Sequence, residues 1–160
     1  MNKESASGKM TDPLDIFDCL CRDFVFSMDG QGRIAVPADW RGNSCRFVII
    51  PGKDATLQMY PAEVFQERIL PKFKKLSPTN ANDLAKLREL GSIMLKCTCD
   101  KQGRIQLTPG LIQHAKLDKR VALVGSVDFV QILSAERWEA EQQARNQNSS
   151  DEAFLDILGD

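Results

Sequence analysis

The chain has 160 residues, 42% hydrophobic and 27% charged, with a formal net charge of −1. That is the composition of a folded globular protein, long enough for one ordinary domain or for two small halves that share a core. No apolar run approaches the roughly 20 residues that span a bilayer, and near-neutral charge leaves polyanion binding to local clusters of Lys and Arg.

Residues 1–22 form an N-terminal extension, polar and partly disordered in its first half. Met1-Asn2-Lys3-Glu4-Ser5 contains no apolar signal core, so a cytoplasmic location is expected. Asp12-Pro13 has the form of a helix N-terminus, and Leu14, Phe17 and Leu20 follow as an apolar stripe. Five cysteines (19, 21, 45, 97 and 99) are an odd set that suits a reducing compartment better than a disulfide scaffold.

A first repeat with its following helix spans 23–76. Phe24 to Met28 reads as a strand, Asp29-Gly30-Gln31-Gly32 as a tight turn, and Arg33 to Val36 as a second strand, together a hairpin. Asp29 suits such a turn because its carboxylate accepts from nearby backbone N–H groups, and Gly32 because it reaches positive φ without a steric penalty. A helical turn closed by Gly42 follows, then a strand over Arg46 to Ile50, a loop over Pro51 to Thr56 and a strand over Leu57 to Tyr60. The first long helix starts near Pro61, with Phe65, Ile69, Phe73 and Leu76 on one face and Pro71 as a kink. Residues 77–92 form a linking helix, capped by Asn80, seamed by Leu84, Leu87 and Leu90, and closed by Gly91.

A second repeat spans 93–145 and restates the first. Asp100-Lys101-Gln102-Gly103-Arg104-Ile105 echoes Asp29-Gly30-Gln31-Gly32-Arg33-Ile34 at a constant offset, and Val130 to Trp138 echoes Leu57 to Phe65. Two matches in one order point to an internal duplication. Strands are expected over 93–99, 104–107, 120–125 and 130–133, with short helices capped by Thr108 and Ser134. Residues 146–160 form an acidic tail that holds an apolar cluster at Phe154, Leu155, Ile157 and Leu158, either a frayed end or a docking peptide.

Catalytic signatures are missing around every Ser and Cys, the single histidine is His114, and the glycine turns precede strands rather than the helix of a phosphate loop. No enzyme activity, cofactor or small-molecule substrate is expected. Cys19-x-Cys21 and Cys97-x-Cys99 admit a zinc reading. However, zinc pairs are usually spaced wider, and Cys97 and Cys99 fall where the first repeat has Phe26 and Met28, so packing is the better reading and no metal site is expected. The turns offer two readings. The Asp–Arg pairs pin a hairpin, or Arg33 and Arg104 face a polyanion, with Arg22, Arg41 and Lys101 near them in sequence.

The doubled Asp-x-x-x-Arg phrase, the helical pair between its copies and the closing Leu123-Val124-Gly125…Trp138 stretch resemble the MraZ family over roughly residues 20–145. The resemblance implies an α+β fold of two tandem swapped-hairpin SpoVT/AbrB-type half-domains, forming a pseudo-two-fold β-barrel with a helical pair between them. It also implies a homo-oligomeric ring in the cytoplasm, at the nucleoid, that regulates transcription by binding short direct repeats in double-stranded promoter DNA. On this basis Arg33, Arg104, Arg41, Lys101 and Arg22 are the DNA-binding candidates. Asp29, Gly32, Asp100 and Gly103 are the turn-structuring ones. This chain has Gln31 where the family often has Lys before the motif glycine, and Ile112 where the second half would repeat Arg41. An oligomeric scaffold with weak DNA binding is the alternative, and an antitoxin-type relative a third.

Overall fold

Apolar residues stand next to one another along Arg46–Gly52 and Thr56–Pro61, which demands two covered faces. The computed structural model, which describes residues 15–147 and 151–159, supplies both. The strands are β1 (Asp23–Ser27), β2 (Arg33–Ala35), β3 (Arg46–Gly52), β4 (Thr56–Pro61), β5 (Leu95–Thr98), β6 (Arg104–Gln106), β7 (Arg120–Gly125) and β8 (Val130–Ser134). They form a six-stranded antiparallel sheet in the order β1-β7-β8-β4-β3-β5 and a separate pair, β2-β6. Exchanging the two repeats maps the larger order onto itself in reverse. Strands of the two halves are interleaved in the sheet, β1 of the first lying on β7 of the second and β5 of the second on β3 of the first, so neither half could keep its edges paired alone.

Main-chain pairing departs from the local reading in one decisive respect. β1 and β2 do not pair as a hairpin. β1 lies against β7 and β2 against β6, each strand finding its partner in the other repeat. The ladders leave β1 and β5 as the ends of the larger sheet, and among the described residues they trace no closed barrel.

Phe47, Ile49, Leu57 and Met59 point into the main core with Ile34, Ile105, Val121, Leu123 and Ile132, all buried. Val48, Ile50 and Tyr60, on the opposite face, make a second core with Phe65. That second core is covered by a helical stretch, α1, built of an α turn (Ala62–Val64), a π segment (Phe65–Ile69) and a further α turn (Leu70–Lys74). Pro71 lacks an N–H and cannot continue an ordinary ladder, and the wider π turns immediately before it are where the pattern gives way. Helix α2 (Ala81–Ile93) is capped by Asn80, whose side chain accepts from the Asp83 N–H at 3.0 Å. It runs straight through Gly91, ending at Met94, because nothing there requires a left-handed residue. The leucine seam expected on it is only partly buried: Leu90 packs against the second core, while Leu84 is exposed.

Helix α3 (Pro109–His114) starts at Thr108 as expected, and α4 (Ala135–Gln147) follows Ser134, whose hydroxyl accepts from the Arg137 N–H. Trp138 of α4 reaches back to β1, its indole N–H donating to the Asp23 carboxylate at 2.8 Å. The acidic tail contains helix α5 (Asp151–Leu158), on which Phe154, Leu155, Ile157 and Leu158 are exposed. The expected loop over Pro51 to Thr56 is much shorter. Pro51 and Gly52 belong to β3, and Asp54 and Ala55, both at positive φ, form the tip. The helix expected from Asp12-Pro13 begins outside the described residues. Within them Ile16–Asp18 forms a 3-10 turn, capped by Asp15; of the stripe, Phe17 is exposed and Leu20 buried.

Candidate nucleic-acid interface

The two-stranded β2-β6 ladder is where the repeated phrase does something that neither copy could do alone. Its register sets Arg33 opposite Gln106, Ile34 opposite Ile105 and Ala35 opposite Arg104. Alternation along a strand then fixes the faces. Ile34 and Ile105 turn inward, 0% and 1% exposed, and Arg33 and Arg104 share the outer face. Each guanidinium is held by its own turn. The Arg33 Nε–H donates to Asp29 Oδ2 at 2.7 Å and the Arg104 Nε–H to Asp100 Oδ2 at 3.0 Å. Arg104 also approaches Asp29, with Nη1 at 3.8 Å from Oδ2, so the two motifs interlock. Both arginine side chains remain about one-third exposed, at 33% and 31%. Their bond to Asp goes through Nε, which orients the fork and leaves the outer nitrogens of Arg33 without a hydrogen bond among the described residues.

The turns are built alike. Asp29 Oδ1 accepts from the Gln31 and Arg33 N–H groups, and Asp100 Oδ1 from those of Gln102 and Arg104, all at 2.9 Å. Gly32 and Gly103 adopt φ +80° and +77°. Across the ladder the Leu107 N–H donates to Gly32 O and the Val36 N–H to Gly103 O, so the two tips sit at opposite ends of the pair. They are about 14 Å apart at four residues of strand rise.

Both carboxylates are held below the usual range. For Asp29 the Arg33 backbone N–H is the largest cause, partial desolvation opposes it, and the Arg33 guanidinium and the Gln31 N–H add to it. For Asp100 the Arg104 backbone N–H leads, again against desolvation. A depressed carboxylate stabilises the turn above its unfolded pKa and loses that contribution as pH falls through the folded one. Both turns are therefore expected to hold throughout the neutral range and to loosen only below the ordinary Asp range, under about pH 4. Carboxyl titration by NMR checks this, with Asp29 and Asp100 expected to protonate below the ordinary aspartate range.

The remaining candidates separate. Lys101 is exposed at the second tip beside Gln102. Arg22 sits at the far end of β1, at φ 75° and over the Phe24 ring, a strand length away from the turns. It docks the extension instead, its carbonyl accepting from the Gly125 N–H. Arg41 is half-buried. Its Nε–H donates to Val36 O at 2.9 Å, and its guanidinium lies flat against Gly103, where a Cβ would collide with it. Its counterpart Ile112 lies over Gly32 in the same way. Beside that first turn lies an open groove of about 540 Å³, lined in part by Gln31, Leu107, Ile112 and Lys116.

Sequence reasoning missed Gln106, whose amide donates to Gln31 O at 2.8 Å and braces the first tip. The signal lay two residues beyond the motif arginine, but only strand pairing could tell where it points. The His114 Nε2–H donates to Gly52 O at 3.0 Å, a packing role on α3. The cysteine reading is corrected in one respect. Cys45 and Cys99 are joined as a disulfide, since chain reversal between repeats brings their Cα atoms to 5.5 Å. Cys97 is free and pushed up to about 11 by burial, the behaviour of a packed thiol. Among the described residues no group of three or more His, Cys, Asp or Glu is arranged to hold a metal, and no helix is long and apolar enough to cross a membrane.

Fold and site together define an α+β protein made from a duplicated strand–turn–strand unit, whose motif strands cross-pair to set two Asp-oriented arginines on one face. Comparison with known proteins gives that class its name. A family model described as "MraZ protein, putative antitoxin-like" matches residues 95–158. A transcriptional regulator MraZ of Corynebacterium kroppenstedtii is 36% identical over 139 residues, covering 84% of this chain and 96% of that protein. Those of Desulforamulus reducens and Moorella thermoacetica are 39% and 34% identical, covering 73% and 86% of this chain and 82% and 95% of their own lengths. The chain belongs to the MraZ family.

Proposed function

We propose that this chain is a DNA-binding transcriptional regulator of the nucleoid, which binds short direct promoter repeats through the two Asp-x-x-x-Arg turns as a ring-shaped homo-oligomer. The observation that carries this reading is the shared outer face of Arg33 and Arg104, each braced by its own aspartate and about one-third exposed. Phosphate contacts from the guanidiniums and Lys101 set register, and a fork that reaches a groove edge adds base discrimination. One subunit offers few cations. Linked copies gain affinity through effective concentration, and α2, with no buried residue and an exposed Leu84, supplies a helix face for contact between subunits.

A scaffold with weak DNA binding is the second reading. Arg41 is committed to Gly103 and Ile112 replaces it over the first turn, which reduces the free cations per tip. A mobility shift with DNA from upstream of the chain's own gene, titrated with salt, separates the two. With roughly three phosphates neutralised per subunit, affinity is expected to fall about thirtyfold or more between about 50 and 200 mM salt. A flat salt response or no shift at any salt overturns the regulator reading.

A further inference from the structure

The two turns have the same internal geometry but different anchors. The segment Arg41–Cys45 is tied to the root of the second turn at three points. The Arg41 guanidinium covers Gly103, the Cys99 N–H donates to Cys45 O at 3.0 Å, and the Cys45–Cys99 disulfide closes the same junction one residue before Asp100. Cys45 is itself held at φ 50°, its N–H bonded to Arg41 O. The first turn lacks a covalent anchor, because the residue corresponding to Cys99 is Met28, whose N–H bonds to Lys119 O. One chain thus carries one turn that a disulfide can lock and one that it cannot. Both bridged cysteines are half-buried, within reach of a small thiol, and Cys97, the nearest other cysteine in sequence, is a packed thiol poorly suited to displace them. Disulfides in reducing compartments are typically transient and redox-sensing.

We propose that Cys45 and Cys99 form a reversible thiol–disulfide site that takes a low-molecular-weight disulfide as its oxidant and controls the rigidity of the second turn separately from the first. The step balances as thiol–disulfide exchange. One cysteine thiolate attacks the small disulfide, forming a mixed disulfide and expelling one small thiolate. The other cysteine then attacks the protein sulfur of that mixed disulfide and expels the second. Two electrons pass from the protein pair to the small disulfide, which leaves as two thiols carrying the two protons. Reduction reverses each bond. When the bridge is open, the Arg41–Cys45 segment holds the second turn only through the Arg41 contact and the Cys99–Cys45 backbone bond.

The test equilibrates the full chain in buffers of reduced and oxidised glutathione, then reads alkylation by mass spectrometry and amide hydrogen exchange. Cys45 and Cys99 are expected to become protected from alkylation together as the buffer becomes oxidising, while Cys97 stays a thiol throughout. Exchange over 100–104 is expected to accelerate roughly fivefold or more on reduction, and that over 29–33 to change less than about twofold. Cys45→Ser should hold the second turn at the reduced rate in every buffer. Full alkylation of both cysteines at all glutathione ratios, a stable glutathione adduct that never closes, or exchange over 100–104 that ignores redox state each overturns the proposal. No DNA enters this measurement, so its result is separate from that of the salt titration.

Discussion

An Arg33→Ala/Arg104→Ala double variant is expected to lose promoter DNA binding by about a hundredfold or more, each charge contact being worth roughly 1–3 kcal/mol. The substitution does more than remove two cations. Asp29 and Asp100, now without their guanidinium partners, would present bare carboxylates to the phosphates from the same two tips. Folding should be nearly unaffected. The Oδ1 bonds to the Gln31, Arg33, Gln102 and Arg104 N–H groups are made to backbone and survive the truncation. Partly exposed ion pairs add little to stability, so the thermal midpoint is expected to stay within about 4 °C of the parent. Lysine at both positions should recover only part of the affinity, because an ammonium restores charge without the planar fork. A double alanine variant that still shifts promoter DNA, or one that loses its assembly, removes these arginines from the interface.

Gly32→Ala is expected to destabilise the protein by about 2–4 kcal/mol, and Gly103→Ala by about half of that. The backbone penalty is common to both, since each glycine sits at positive φ, where a Cβ crowds the following carbonyl. The neighbours differ. At Gly32 a Cβ would lie 2.9 Å from Leu107 O, a backbone carbonyl of the residue next to β6 whose own N–H is bonded to Gly32 O. Relief there means moving a strand. At Gly103 the obstacle is the Arg41 guanidinium, the far end of a flexible side chain that can swing out and give up its bond to Val36 O. Urea denaturation of the two variants measures the difference, and a Gly103→Ala cost equal to or above that of Gly32→Ala would show that Arg41 is not the yielding partner.

Much of the site was legible along the chain because its parts act over four or five residues. Asp-x-Gln-Gly-Arg encodes its own turn: a carboxylate that reaches N–H groups two and four positions on, a glycine at positive φ, and an arginine whose Nε returns to the same carboxylate. Repetition of that phrase signalled two equivalent turns, and cap residues such as Asn80 and Thr108 marked helix starts for the same local reason. Gly91 failed as a stop signal because glycine permits a left-handed cap without compelling one.

Long-range choices were not legible in this way. A strand's sequence states which face is apolar, and β2 and β6 state it correctly through Ile34 and Ile105, but it does not name the partner strand. Partner choice is made by burial of the whole core, and it sent β1 to β7 and β2 to β6 instead of closing a local hairpin. The same packing seated Arg41 on the opposite turn, carried Arg22 away from both, and brought Cys45 beside Cys99 across 54 residues of chain. Sequence by itself determined two arginine-bearing turns and their internal hydrogen bonds, because those interactions span a few bonds of backbone. Only the tertiary structure decided that the two arginines share a face, because that depends on strands distant in the chain burying their isoleucines against each other.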